Sequence, residues 1–119
     1  MKKIVILIAF SLFAVSSAFA GDSLTISLTT TGLSVYGAKT ETAATTSPLI
    51  GKTSTGVGIG MKTASTGYSV VSQHKNGTKA FGSSFDSTSI YSIDVVAGTA
   101  TTGPTTADSA LYTGSWTSM

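Results

Sequence analysis

The alternation of apolar and polar residues along the chain predicts a protein built from short β-strands. Near the start, Leu24, Ile26 and Leu28 alternate with threonine and serine, as in a strand with one apolar face. A shorter alternation follows at residues 33–35. Apolar residues never recur at helical spacing over ten positions, and only residues 38–46 could form a turn or two of helix. The pattern therefore favours a mainly β, antiparallel fold.

Three more strands are predicted in the middle of the chain. The first interleaves apolar residues with glycines, namely Val57, Ile59 and Met61 with Gly56, Gly58 and Gly60. The second covers residues 68–74 and places Tyr68 and Val70 on one face, and the third covers residues 88–96 and carries Ile90. Strand glycines mark positions where a ligand or another backbone comes close. We therefore expect Gly56, Gly58 and Gly60 to allow a neighbouring subunit or helix to pack closely.

The turn signals predict a hairpin and a long loop. Asn76-Gly77 accepts the positive φ values of a type I′ turn, so strand residues up to His74 are expected to pair with residues 78–81. Residues 98–108 are rich in glycine and threonine, which predicts an exposed loop around Pro104. Residues 110–116 could add a short terminal strand.

Residues 1–20 have the organisation of a secretory signal peptide. Two lysines precede an apolar run at residues 4–15, and Ala18-Phe19-Ala20 supplies the small-x-small pattern of a cleavage site. Cleavage is expected between Ala20 and Gly21, leaving residues 21–119 as one domain. The run is too short to span a bilayer unaided. The sequence thus predicts export by the Sec route to the periplasm, the cell surface or an extracellular filament.

Charge limits the partners of the exported domain. Without residues 1–20, the chain has five lysines, five carboxylates and no arginine. Such a neutral domain lacks the basic surface that would bind nucleic acids or anionic membranes. We therefore expect no nucleic-acid binding, and membrane contact only through a partner or the signal peptide.

Catalytic and cofactor chemistry finds little support in the sequence. The glycines at 56, 58 and 60 have neither the helix nor the acidic residue of a dinucleotide site, and the chain has no cysteine. His74 and Asp86 lack a nucleophile elbow around any serine. Spacing alone leaves Asp86 and Asp94 open as a glycosidase pair. We expect no catalytic, metal or cofactor site, and we expect Asp86 to cap a turn through the N–H of Thr88.

A set of short motifs resembles the β-domain of type IV pilins and pseudopilins. They run from Gly51-Lys52-Thr53-Ser54-Thr55-Gly56 through Gly67-Tyr68, His74-Lys75-Asn76-Gly77 and Phe81-Gly82 to Asp86-Ser87-Thr88 and Ile90-Tyr91. More narrowly, the chain resembles the separately encoded globular subunit of split pilins (the PilA-C or geopilin domain 2 type) over residues 33–119. The resemblance implies a filament subunit that docks on a short helical pilin. Unlike ordinary pilins, the chain has no prepilin-peptidase site.

The composition agrees with an incomplete structure. The residues that we count as large and apolar are too few for two filled layers, and a sheet with one apolar face must bury it against another layer. We expect an apolar helix of the partner to supply that layer. The residues predicted to meet it are Leu24, Ile26, Leu28, Val57, Ile59, Tyr68, Val70 and Ile90.

Two other functions stay open at this stage. A small secreted binding or adhesive module would expose an aromatic patch drawn from Tyr36, Tyr91, Tyr112 and Trp116. A secreted hydrolase would need His74 or a carboxylate in a cleft.

Overall fold

A computed structural model describes residues 23–28, 32, 34–36 and 49–119. The signal peptide, the Ala20–Gly21 cleavage site and the possible helical turn at 38–46 lie outside the described residues. The strands are β1 (Ser23–Leu24), β2 (Ser34–Tyr36), β3 (Leu49–Lys52), β4 (Val57–Ala64), β5 (Gly67–His74), β6 (Lys79–Ser84), β7 (Tyr91–Asp94) and β8 (Thr117–Ser118). One 3-10 turn, Ser109–Leu111, precedes β8.

The described strands form two antiparallel sheets. Six of them pair in the order β1-β4-β5-β6-β7-β8, so that β4 to β8 make an uninterrupted meander. β2 and β3 pair separately. The prediction of a mainly β, antiparallel fold is confirmed.

The strand register assigns every side chain of the large sheet to one of two faces. Val71 lies opposite Gly60 on one side and Gly82 on the other, and Val70 lies between Met61 and Ser83. Because successive strand residues point to opposite faces, these rows define the two sides. We call the first the inner face, formed by Gly58, Gly60, Ser69, Val71, Gln73, Ala80 and Gly82. The second is the outer face, formed by Val57, Ile59, Met61, Tyr68, Val70, Ser72, Phe81 and Ser83.

The inner face is covered by this chain's own residues. Ile26 and Leu28 cross it above the β4 glycines: a Cβ at Gly60 would lie 2.6 Å from Ile26 Cγ1. Tyr112 covers Gly82, where a Cβ would lie 2.2 Å from its Cε1. These side chains pack with fully buried Val71 to form the core. Glycine, with no side chain, makes room for both approaches.

The loop after β7 is exposed at residues 98–100, 102 and 105 as the sequence predicts, but the prediction is wrong around Pro104, where the loop forms part of this cover. Pro104 is buried, and its Cδ would lie 3.1 Å from a Cβ at Gly60. Buried Gln73 donates from Nε2 to Thr99 O and accepts at Oε1 from Thr101 N, both at 2.8 Å. The side-chain amide of β5 thus provides hydrogen-bond partners for two backbone groups of the loop, the carbonyl of Thr99 and the N–H of Thr101.

The hairpin between β5 and β6 is confirmed, but the predicted turn type is wrong. Gly77 N donates to His74 O at 2.9 Å, so Lys75 and Asn76 are the central residues of the turn. Gly77 is not among the glycines of positive φ. Two further contacts fix the shifted turn: Lys75 N donates to Gly56 O, and Gly98 N donates to Lys75 O, both at 2.6 Å.

The strands near the ends of the described chain are shorter than predicted. Pairing of β1 stops at Leu24, although Ile26 and Leu28 stay buried in alternation with more exposed neighbours. β7 covers only Tyr91–Asp94 of the expected 88–96. Residues 109–111 form a 3-10 turn, and the terminal strand lies later, at Thr117–Ser118. Asp108 caps that turn by accepting from Ala110 N.

Candidate functional site

The outer face carries apolar side chains that the described residues cover only in part. Val57, Ile59, Met61 and Val70 on its two longest strands are each half-buried. Phe81 on β6 is 40% exposed, and Tyr68 near the start of β5 is 49% exposed. Ile90, which enters β7 beside them, is 54% exposed. An apolar stripe therefore runs across four neighbouring strands.

Three shallow depressions adjoin one another on this face. One of about 370 Å³ lies at the hairpin end, between Val57, His74, Lys79 and Phe81. The next, about 220 Å³, shares Ser72 and Phe81 with it and extends to Val70 and Ile90. The third, about 170 Å³, begins at Val70. Since each shares residues with the next, they form one apolar groove.

The small sheet forms one wall of the third depression. Val35 of β2 and Ile50 of β3 face Ile59, Met61 and Val70 across it. Ile50 is 67% exposed, so the small sheet leaves this part of the groove open. Hence β2 and β3 frame one end of the outer face without closing it.

An aromatic pair marks another margin of the sheet. The rings of Tyr68 and Phe85 have centroids 6.4 Å apart and are tilted by 50°. Phe85 lies directly over Gly67, where a Cβ would be 2.0 Å from its Cε1. Its backbone N–H donates to Tyr68 O at 3.1 Å. Glycine at 67 thus makes room for the Phe85 ring next to Tyr68.

The eight residues predicted to form one partner-binding face do not share one face. Val57, Ile59, Tyr68, Val70 and Ile90 lie on or beside the outer face. Leu24 lies at its edge, paired with Met61. The placement of Ile26 and Leu28 there is wrong, since both are buried against the inner face. Pairing of β1 ends at Leu24, and the chain then crosses to the other side of the sheet.

The close-approach glycines are likewise divided. Gly58 and Gly60 allow a close approach, but the approaching backbone is this chain's own: a Cβ at Gly58 would lie 2.7 Å from Ser27 O. The expectation that they admit a neighbouring subunit or helix is therefore corrected. Gly56 lies in the turn before β4 with φ +76°, where glycine is favoured for its backbone freedom. It does not belong to the glycine face.

Sequence reasoning missed two members of the outer face. Met61 was assigned to its strand but left out of the surface, and Phe81 was used only as part of a motif. The hairpin provides a signal for Phe81, because pairing Ser72 with Phe81 places that ring beside Val70 and Ile59. Applying period two to the paired strand would have found it.

The polar residues considered for catalysis make separate, local contacts. His74 Nδ1 accepts from Asn76 N at 3.1 Å at the hairpin turn. Asp86 accepts from the N and Oγ of Ser109 at 2.9 and 2.8 Å, in place of the expected Thr88 cap. The hydroxyl bond from Ser109 is the main cause of the lowered pKa of Asp86. These contacts tie the 3-10 turn to the end of β6.

The carboxylate pair left open by spacing is separated by the length of β6. Asp94 lies opposite Lys79 at one end, and its Oδ1 is 2.6 Å from Lys79 Nζ. Asp86 follows Ser84 at the other end. The five steps along the strand from Lys79 to Ser84 correspond to about 17 Å. Paired glycosidase carboxylates lie only roughly 5–10 Å apart. Asp86 and Asp94 therefore cannot act on one glycosidic bond in this fold.

Three of the aromatic residues considered for an exposed patch pack on one another. Tyr91 and Tyr112 stack with centroids 4.5 Å apart, and Trp116 meets Tyr112 edge-on at 5.1 Å. Tyr112 is buried, and its hydroxyl lies 2.7 Å from both Val70 O and Ser83 O. Burial raises the pKa of this phenol. The cluster therefore stabilises the core, and the exposed rings among the side chains described are Tyr68, Phe81 and Phe85.

Comparison with protein families, with curated proteins and with solved structures found no match to this chain. Within the described ranges, no helix is long and apolar enough to cross a membrane. The same residues contain no group of three side chains able to hold a metal ion.

Proposed function

We propose that this protein is a structural subunit of a type IV pilus-like or pseudopilus filament, and that its outer face docks on a separately encoded short helical pilin. The observation that carries the proposal is the contrast between the two faces. The inner face is covered by Ile26, Leu28, Pro104 and Tyr112 of the same chain. The apolar side chains of the outer face are exposed or half-buried, so the residues described cover this face only in part. A pilin-like fold and an exported location are part of the same proposal.

The groove on the outer face favours an apolar, rod-shaped partner. Its depressions adjoin one another across β4, β5 and β6, and apolar side chains dominate their floor. A helix with an apolar stripe fits such a surface, since helix-in-groove docking uses anchors spaced along one helix face. Covering about 500 Å² of apolar surface would contribute roughly 12 kcal/mol before the costs of association.

Charge on the hairpin end does not oppose this docking. Lys79 is paired with Asp94, so its ammonium is partly neutralised at the rim of the largest depression. The groove floor between Val57, Phe81 and Val70 contains no charged side chain among the residues described. An apolar helix over this part of the floor would desolvate no charge there, and the charged side chains that line the groove are Lys79 in the first depression and Lys52 in the third.

The test is binding of the protein to a short helical pilin of the same organism, and a genome that encodes no such pilin would contradict the proposal. Val70→Thr keeps a β-branched strand residue and Phe81→Thr introduces one, and both remove apolar contact area from the groove. We expect each to weaken binding at least about tenfold, which corresponds to about 1.4 kcal/mol. Val96→Thr is the matched control, because Val96 is 73% exposed and lines none of the three depressions.

The outcomes separate the proposal from its rivals. Weakening by the two groove variants and not by Val96→Thr supports docking on the outer face. Equal affinity for all three variants contradicts it. A wild-type protein that is monomeric, binds no apolar dye and gains no stability from the helical pilin would instead be a self-sufficient secreted module.

A further inference from the structure

Asn76 is the single asparagine of the chain, and glycine follows it. It occupies the exposed turn between β5 and β6. We propose that Asn76 is a site of spontaneous deamidation in the folded protein, which converts the hairpin tip from an amide to a carboxylate as the protein ages. This inference does not depend on the proposed function.

The chemistry needs no enzyme or cofactor. The backbone nitrogen of Gly77 attacks the side-chain carbonyl carbon of Asn76 and loses its proton to solvent. A new C–N bond closes a five-membered succinimide, the bond to the side-chain nitrogen breaks, and ammonia leaves. Water then opens the ring to aspartate or to isoaspartate. Glycine makes the attack easier than any other residue, because it has no side chain to hinder the approach.

The geometry leaves the reacting amide free and restrains the attacking nitrogen by one bond. The Asn76 backbone N–H donates to His74 Nδ1, and among the residues described no group is bonded to its side-chain amide. The nucleophile, Gly77 N, donates to His74 O at 2.9 Å. Reaction therefore requires that this bond open. Exposed turns open locally at low free energy compared with global unfolding.

The product changes the chemistry of the hairpin tip. A carboxylate at 76 adds one negative charge next to Lys75 and near Lys79 at the rim of the largest depression. Isoaspartate also adds a methylene group to the backbone of the turn, between the N–H of Asn76, which donates to His74 Nδ1, and the N–H of Gly77, which donates to His74 O. Both products therefore alter the end of the outer face at which β4, β5 and β6 meet.

The experiment is ageing of the folded full-length chain at neutral and mildly alkaline pH, followed by mass spectrometry. Deamidation changes the mass, whereas isomerisation of aspartate does not. The one other amide side chain is that of Gln73, which is 1% exposed. We expect the mass change to map to residue 76 and to become faster with rising pH, because deprotonated backbone nitrogen is the nucleophile.

Gly77→Ala is the control variant. Gly77 does not have positive φ, and a Cβ there would lie 3.3 Å from its nearest neighbour, His74 O, so alanine fits with a small adjustment. We expect it to slow the reaction roughly tenfold, or about 1.4 kcal/mol in activation free energy. An unchanged native protein, over a period in which the denaturant-unfolded chain is converted, would overturn the proposal. Equal rates for the wild type and Gly77→Ala would overturn it as well.

Discussion

At the scale of single residues, Gly58 decides whether the N-terminal segment can cross the sheet. A Cβ at this position would lie 2.7 Å from Ser27 O and 2.8 Å from Ile26 Cγ2. The first contact is with backbone, so it can be relieved only if the segment moves. We therefore expect Gly58→Ala to lower the free energy of unfolding by about 1–3 kcal/mol in denaturant titrations.

Gly51→Ala is the matched control for this prediction. Gly51 lies in β3, does not have positive φ, and has open space where a Cβ would point. Its substitution should change the free energy of unfolding by less than about 0.5 kcal/mol. If both variants were equally stable, residues 26–28 would not pack on the glycines as described.

Tyr112 gives the fold a dependence on alkaline pH. Burial raises the pKa of its phenol above the ordinary value of 10.0. A group with a raised pKa in the folded state contributes its stability below its unfolded pKa, and that stability is lost as pH rises through the folded pKa. The protein should therefore lose stability above about pH 10.

Tyr112→Phe isolates this effect, because all other ionisable groups are the same in the two proteins. At neutral pH this substitution should lower the free energy of unfolding by about 1 kcal/mol, because it removes the hydroxyl that donates to Val70 O and Ser83 O. The difference between the two proteins in unfolding free energy should then shrink as pH rises past the ordinary tyrosine pKa. A difference that stays constant over this range would show that the phenol has the same pKa in the folded and unfolded states, which contradicts the prediction.

At the scale of elements, Gln73 of β5 holds the loop that covers the inner face. Its amide donates to Thr99 O and accepts from Thr101 N, and its side chain is 1% exposed. Gln73→Ala leaves two loop groups without partners, at about 1–3 kcal/mol each. We expect loss of hydrogen-exchange protection at the amide of Thr101, while the strand amides of β5 keep theirs.

Ser72→Ala provides the comparison on the same strand. Ser72 lies next to Gln73 but points to the outer face, away from the loop. Its substitution should leave the protection of Thr101 unchanged. Were both variants to release the loop, opening would reflect a weakened strand and not the lost amide contacts.

Local patterns predicted the strands of the meander because each alternates within its own span. β4 and β5 match the alternations at Val57 to Met61 and at Tyr68 to His74 closely. The same reasoning put Ile26 on the outer face, since period two holds only while a segment stays in the sheet. That segment leaves the sheet after Leu24.

The cover of the inner face could not be predicted from local pattern. Pro104 and Thr101 read as loop residues, and what buries them is contact with Gly60 and Gln73 far away in sequence. The position of Gln73 on the same strand face as Val71 indicates that some polar group must pack there, because a buried polar side chain needs hydrogen-bond partners. Its partners are backbone groups, which no side-chain pattern reveals.

At the scale of the whole molecule, the described residues cover the inner face of the sheet more completely than the outer face. The free energy of unfolding should therefore depend more on inner-face side chains than on outer-face ones. Val71 on the inner face is 0% exposed, while Phe81 on the outer face is 40% exposed. Val71→Thr keeps the shape of the side chain but buries a hydroxyl, and should cost about 1–3 kcal/mol. Phe81→Thr should cost at most about 1 kcal/mol, because threonine suits a strand and two fifths of Phe81 is already exposed to solvent.

The same pair of variants should also differ in their effects on association. An exposed apolar patch promotes self-association and dye binding in the absence of its partner. Phe81→Thr removes part of that patch, so it should lower the binding of an apolar dye and the concentration-dependent self-association seen in sedimentation. Val71→Thr should lower neither while the protein stays folded. If the outer-face variant proved the more destabilised of the two and left dye binding unchanged, the open groove would already be filled in solution, and no partner would be needed to complete it.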